Sequence, residues 1–158
     1  PFNGAVSKEE LFFVIDGALR QGIRDICLCD TIGVASPLLI EKVLDSVLDK
    51  YAAVPINWSL HLHNTRGLAA ANTYAALKRG IDCFETSVGG LGGCPFAPGA
   101  SGNMATEDLV YMLTDMGIEV EADLNKIIAA SEMIARQLSI CTDSKINRIT
   151  AHKVFPHK

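Results

Sequence analysis

Ile56-Asn57-Trp58-Ser59-Leu60-His61-Leu62, an alanine-rich run over residues 67–79 closed by Gly80, and Asp82-Cys83-Phe84-Glu85-Thr86-Ser87-Val88 together decide the fold. The outer two pieces are short, bounded by turn residues and rich in aromatic and branched side chains, so they read as strands. The middle piece reads as a helix with a glycine stop. A strand, a helix and a second strand make a βαβ unit with parallel strands.

The same alternation extends in both directions. Upstream, Ser7-Lys8-Glu9-Glu10 is a capping box, followed by Leu11, Phe12, Ile15, Ala18 and Leu19 at helical spacing and by Gly22 as a stop. Asp25-Ile26-Cys27-Leu28-Cys29 reads as a buried strand and Asp30-Thr31-Ile32-Gly33 as a loop. Ser36-Pro37 opens a second helix with proline at its first position, and Ile40, Val43, Leu44, Val47, Leu48 and Tyr51 form its apolar stripe. Downstream, a Gly/Pro-rich loop runs over residues 89–102. A helix from Ala105 or Thr106 through Met116 follows, ended by Gly117. Asp123 caps a last long helix carrying Leu124, Ile127, Ile128, Ile134 and Leu138. From Cys141 onward the expectation is a polar, irregular tail. The βα period is roughly 30 residues, which suits a TIM barrel or an open doubly wound sheet.

The 158 residues suit one domain, and no linker or low-complexity segment divides them. With 49% hydrophobic and 20% charged residues, the chain can bury a core and is not disordered. The net charge of -4 and the lack of any Lys/Arg block argue against a nucleic-acid or anionic-membrane surface. No run of 18 apolar residues suggests a membrane span, and no signal peptide is visible in a chain that opens on Pro1. Five cysteines, an odd number without a CxxC pair, fit a reducing compartment better than a disulfide scaffold.

Three segments carry possible chemistry. His61-Leu62-His63-Asn64 places two imidazoles at i and i+2, on one face of a strand. They lie at the strand's C-terminal end, where parallel α/β folds build their sites. They can converge on one metal ion, or they can merely hydrogen-bond at a strand end. The glycine-rich run 89–103 fits neither a dinucleotide fingerprint nor a phosphate-binding P-loop. It suits close backbone approach or a moving cover over a site, and it embeds a single Cys94 that can act as acid or base; a plain connector is the alternative. Asp30 follows a strand end, where a carboxylate serves as acid, base or ligand, or simply as a turn residue. Cys27, Cys29 and Cys83 are expected to be small core residues, Trp58 to pack, and Arg66, Lys78 and Arg79 to be solvated. His152 and His157 have no partner pattern.

Three stretches, Cys29-Asp30-Thr31-Ile32-Gly33, His61-Leu62-His63-Asn64-Thr65-Arg66-Gly67 and GGLGGCPFAPGASGNMATED at 89–108, resemble the hydroxymethylglutaryl-CoA lyases. Isopropylmalate and homocitrate synthases share an HxHN motif but lack the glycine-rich loop. The resemblance spans residues 2–140. It implies a TIM barrel that uses a divalent cation, Mg²⁺ or Mn²⁺, to cleave an acyl-CoA thioester, 3-hydroxy-3-methylglutaryl-CoA, into acetyl-CoA and acetoacetate. It implies His61 and His63 as metal ligands from the sixth strand and Asn103 as one from the eighth. It implies Cys94 as the residue handling the proton on the acetyl-CoA carbon, Asp30 as acid/base or orienting group, and His61 as a further proton acceptor. The expected partners are the thioester and a second copy of the chain as a homo-oligomer (a dimer), with no nucleic acid and no membrane. The expected location is cytoplasmic in a bacterium and the mitochondrial matrix in a eukaryote.

A whole barrel takes about 250 residues. The expectation is therefore a C-terminal half, with about four parallel strands (five to eight) in residues 1–140 and the tail at 141–158. The family's metal-binding Asp and neighbouring Arg come from a first strand that is not found here. The ligands present are all neutral, which suits a hard cation poorly. The expected result is half a coordination sphere and little activity from the chain alone.

Overall fold

A computed structural model describes residues 4–93 and 102–150. Cys94, singled out above, and both histidines of the expected tail lie outside the described residues. Three parallel strands, β1 (Asp25–Asp30), β2 (Asn57–Leu62) and β3 (Cys83–Glu85), form one sheet in the order β1-β2-β3. Helices α1 (Lys8–Arg20), α2 (Pro37–Lys50) and α3 (Ala69–Leu77) alternate with them, and α4 (Thr106–Asp115), α5 (Leu124–Leu138) and α6 (Lys145–Thr150) follow.

Local chemistry sets most helix ends where the sequence places them. Ser7 and Glu10 close a reciprocal capping box at α1, Ser36 accepts from the Leu39 amide with Pro37 at the first helical position, and Asp123 accepts from the amides of Asn125 and Lys126. Gly22, Gly80 and Gly117 adopt positive φ just past helix ends.

The sheet has two unlike faces. Ile26, Leu28, Trp58, Leu60, Leu62 and Phe84 belong to the apolar core, with Leu44 and Val47 of α2 and Ala69 and Ala76 of α3. The alternate positions make two register rows, Cys27–Ser59–Cys83 and Cys29–His61–Glu85. The expectation that the strand cysteines are core residues is therefore corrected: Cys29 and Cys83 are exposed and Cys27 is half-buried. A parallel sheet covered on both faces reads as continuous apolar runs. Here small and polar residues fill one face, and that face carries His61.

Two further differences concern the C-terminal part. The third strand ends at Glu85 instead of Val88, because residues 88–90 turn into a single 3₁₀ turn with Gly89 at φ 67°. No fourth strand joins the sheet among the described residues. Its place is taken by residues 102–105, which make isolated bridges from Asn103 to His63 and from Ala105 to Ser87. The expected irregular tail is also ordered at its start. Ser144, Ile146 and Asn147 are buried, and α6 packs on α4 and α5. Among the described residues no helix is long and apolar enough to cross a membrane.

Candidate metal centre and active site

The site forms at the C-terminal end of β2. The pleat sends His61 to the polar face, and its Nδ1 lies 3.3 Å from Oε2 of Glu85, its register partner on β3. A carboxylate on Nδ1 favours the proton there and leaves Nε2 free to bind or accept. The ring centroids of His61 and His63 lie 5.1 Å apart, tilted by 56°.

His63 is 6% exposed, and its Nδ1 has no hydrogen-bond partner among the described residues. Burial, and next the neighbouring His61, hold its pKa below the ordinary histidine value, while Asp30 opposes them. The imidazole is thus kept neutral, the form that binds metals.

Asn103 reaches His63 through the antiparallel bridge. Its Nδ2 donates to the Leu91 carbonyl at 2.8 Å. A carbonyl only accepts, so this contact fixes which end of the amide is nitrogen. The Oδ1 atom is then left buried and without a partner among the described residues. Both orphaned atoms belong to bridged residues, and each is a lone-pair donor that a cation would satisfy. The sequence-predicted donors His61, His63 and Asn103 are brought together here.

Asp30 is placed differently. Its Oδ1 accepts from the Val34 amide at 2.9 Å and its Oδ2 from the Ala35 amide at 3.0 Å. This is the turn-closing role of an aspartate. The loop it closes touches the histidine loop: a Cβ on Gly33 would lie 3.0 Å from the His63 carbonyl oxygen. Arg66, expected to be solvated, instead donates to the carbonyls of Ile32 and Gly33 at 3.0 and 3.1 Å. Arg79, also expected to be free in solvent, pairs with Glu41 and Asp45.

Sequence reasoning missed two carboxylates. Glu85 is visible only once the β2/β3 register is known, since 24 positions separate it from His61 in the chain. Glu107 is wholly buried, with both oxygens accepting from the Gly89 amide at 3.0 and 2.9 Å. An acidic residue in a helix's first turn ordinarily reads as a solvated dipole partner. Only the adjacency of the glycine-rich loop hints at more.

Three neutral donors fit part of a divalent coordination sphere. Among the described residues no group of three or more His, Cys, Asp or Glu side chains is gathered for a metal ion.

A family model described as HMGL-like matches residues 2–134. A mitochondrial hydroxymethylglutaryl-CoA lyase of Rattus norvegicus is 43% identical over 150 residues, 95% of this chain and 46% of that protein. The solved HMG-CoA lyase of Bacillus subtilis superposes with a TM-score of 0.89 at 40% identity, covering 96% of this chain and 50% of that one. An HMG-CoA lyase of Acinetobacter baumannii, solved with coenzyme A and 3-methylmalate, gives a TM-score of 0.86 at 41% identity, covering 94% and 48%. The chain spans about half the length of the relatives it matches. Its parallel strands and flanking helices are accordingly half of a TIM barrel. On the family match and these identities together, the chain belongs to the HMGL-like family of lyases.

Proposed function

We propose that this chain provides the metal-binding half of a hydroxymethylglutaryl-CoA lyase, which cleaves 3-hydroxy-3-methylglutaryl-CoA into acetyl-CoA and acetoacetate. The observation that carries the reading is the pair of orphaned atoms, Nδ1 of His63 and Oδ1 of Asn103, on residues bridged beside His61.

In this reaction the tertiary hydroxyl on carbon 3 loses its proton and the bond between carbons 2 and 3 breaks. The bonding electrons pass to the thioester as an enolate, which then takes a proton at carbon 2. His61, Asn103 and His63 would hold a divalent cation, Mg²⁺ or Mn²⁺, which when bound lowers the cost of charge on the substrate oxygens. With Glu85 on its Nδ1, His61 has a single free nitrogen, Nε2, which would either hold the cation or accept the hydroxyl proton, one role excluding the other at any moment. Cys94, in the glycine-rich loop, would return a proton to carbon 2. Asp30 keeps the loop from Ile32 to Ala35 against the histidine loop, and its proximity to His63 makes it the orienting carboxylate. The bound coenzyme A in the Acinetobacter baumannii enzyme supports a thioester substrate. The working form would be a dimer, in the mitochondrial matrix of a eukaryote or the cytoplasm of a bacterium.

The test is Mn²⁺ binding followed by electron paramagnetic resonance, paired with acetoacetate release. The chain should bind Mn²⁺ in competition with Mg²⁺, and His63→Ala should weaken binding at least tenfold, about the effect of losing a ligand's support. Acetoacetate release should be slow for the chain alone and rise when an N-terminal half-barrel bearing the missing carboxylate is added. Equal Mn²⁺ affinity in the wild type and a His61→Ala/His63→Ala double variant would sink the metal reading. A condensation product in place of acetoacetate would move the chain to the related synthases.

A further inference from the structure

We propose that residues 142–147, which lead into and begin α6, are a positioning strap that sets the orientation of Asn103 through Glu107 and the Gly89–Leu91 turn. The proposal deepens the metal reading of His61, His63 and Asn103 and rests on it.

Glu107 is fully buried. A buried carboxylate is tolerated only when hydrogen bonds replace its lost hydration. No lysine or arginine among the described residues pairs with it. Its partners come instead from two segments distant in sequence. The Gly89 amide donates to both its oxygens, and Nδ2 of Asn147 donates to Oε1 at 2.9 Å. The same Asn147 nitrogen also donates to the buried Ser131 hydroxyl of α5. Glu107 thus joins the turn that begins the glycine-rich loop to the C-terminal helix.

The strap also grips that turn directly. The Asp143 amide donates to the Gly89 carbonyl at 3.0 Å, so Gly89 is held at its N–H by Glu107 and at its C=O by Asp143. A Cβ at Gly89 would come within 2.8 Å of Thr142 Cγ2, so the fit leaves room for glycine alone. The strap is fixed in turn by Asp108, whose carboxylate accepts from the Ser144 hydroxyl and from the amides of Lys145 and Ile146.

What the turn delivers is the Leu91 carbonyl, the acceptor that orients Asn103. A second contact ties the two stretches: a Cβ on Gly102 would fall 1.9 Å from the Gly90 carbonyl oxygen. The chain of contacts therefore runs from Asn147 to Glu107, to Gly89, to Leu91, to Asn103. A helix of six residues has little stability of its own. Asn147, by way of Glu107, and the Asp143 amide meet at the one residue Gly89, which is the arrangement of a positioning device. Glu107, held by Asn147, acts on Asn103 through the turn.

The experiment is amide hydrogen exchange by NMR on the wild-type chain and on Asn147→Ala, with Mn²⁺ titration of both. In Asn147→Ala, exchange at the Gly89 amide and at the Asn103 side-chain amide should quicken about tenfold, the loss of one buried hydrogen bond read locally. Exchange at Leu28 and Leu60 in the sheet should not change. Mn²⁺ affinity should fall several-fold. The strap idea is overturned if only α6 amides quicken, if sheet amides quicken equally, or if Mn²⁺ affinity is untouched while Gly89 loosens. Thr142→Ala, a milder change to the same strap, gives the same comparison should Asn147→Ala fail to fold. If the wild type binds no Mn²⁺ yet Gly89 and Asn103 respond together, the metal reading fails while the mechanical coupling stands.

Discussion

The first half of the molecule and the last half bury their polar groups in different ways. From α1 to α3 the packing is chiefly apolar: Leu44, Val47, Leu60, Ala69 and Ala76 are buried together, Tyr51 stacks edge-on against Phe12, and the buried Asn72 and Thr73 each donate to a single backbone carbonyl. From α4 to α6 the buried Leu109 and Leu113 share that core, but beside them lies a connected polar cluster in which Asn147 joins Glu107 to Ser131, and α5 buries only Ser131 along its fifteen residues. Apolar packing is non-directional and tolerates small shifts. A polar network is satisfied in one arrangement only. The region beside the candidate ligand Asn103 has the second kind of bonding, which fits a part of the molecule that must hold one geometry.

The largest effect expected is in the apolar half. Leu44→Ala should cost about 3–4 kcal/mol, because it removes methylene contacts and leaves a cavity. Urea unfolding would show the loss across the whole transition. Glu107→Gln should cost less, about 2 kcal/mol, since the side chain keeps its volume but places an NH₂ where donors already converge. Its signature should be local: Mn²⁺ binding impaired beyond what the stability loss explains. If Leu44→Ala impairs Mn²⁺ binding as much as Glu107→Gln at equal folded fraction, the two halves do not differ in how they hold the site.

The same contrast explains what was legible in the sequence. The period of Ile40, Val43, Leu44, Val47, Leu48 and Tyr51, the caps at Ser7, Ser36 and Asp123, and the parallel βαβ order are local or periodic signals, and the structure repeats them. The HxH spacing makes His61 and His63 legible as a pair, whereas Asn103 joins them only through the family resemblance of its loop. The pairing of His61 with Glu85 depends on strand register, and the burial of Glu107 depends on a helix forty positions away, so neither leaves a local trace. The strand cysteines misled for a related reason. Small apolar-tolerant residues read as core, but on a barrel's inner face the alternate positions are set by the site and not by a core.

Within the apolar half one polar contact offers a finer test. The Tyr51 hydroxyl donates to Asp16 Oδ1 at 2.8 Å, at the edge of the core. Burial, and then the Asp16 carboxylate, push the phenol up to about 12. The neutral phenol is favoured in the folded chain, so its contribution is complete below the ordinary tyrosine value of 10 and is lost as pH rises toward 12. Tyr51→Phe should cost about 1 kcal/mol at neutral pH and flatten the alkaline limb of the stability curve. A loss as large as that of Leu44→Ala would mean that this one polar contact supports the half as strongly as its apolar packing does.

The smallest effect is at the site itself and appears in acid. The folded-state pKa of His63 lies below the ordinary value of 6.5, chiefly because burial disfavours the imidazolium. Between the two values the unfolded chain binds more protons than the folded one. The stabilising contribution of neutral His63 is therefore complete above pH 6.5 and is lost as pH falls through its folded-state pKa. His63→Gln removes the titration while keeping a polar group, so its stability should fall less steeply than the wild type's below pH 6.5. Saturating Mn²⁺ should steepen the wild-type slope, because the bound cation and the proton compete for the same nitrogen. A wild-type slope that ignores both the substitution and the cation would show that His63 is merely a buried histidine. The orphaned atoms would then mark a packing defect in a half-barrel and not a metal centre.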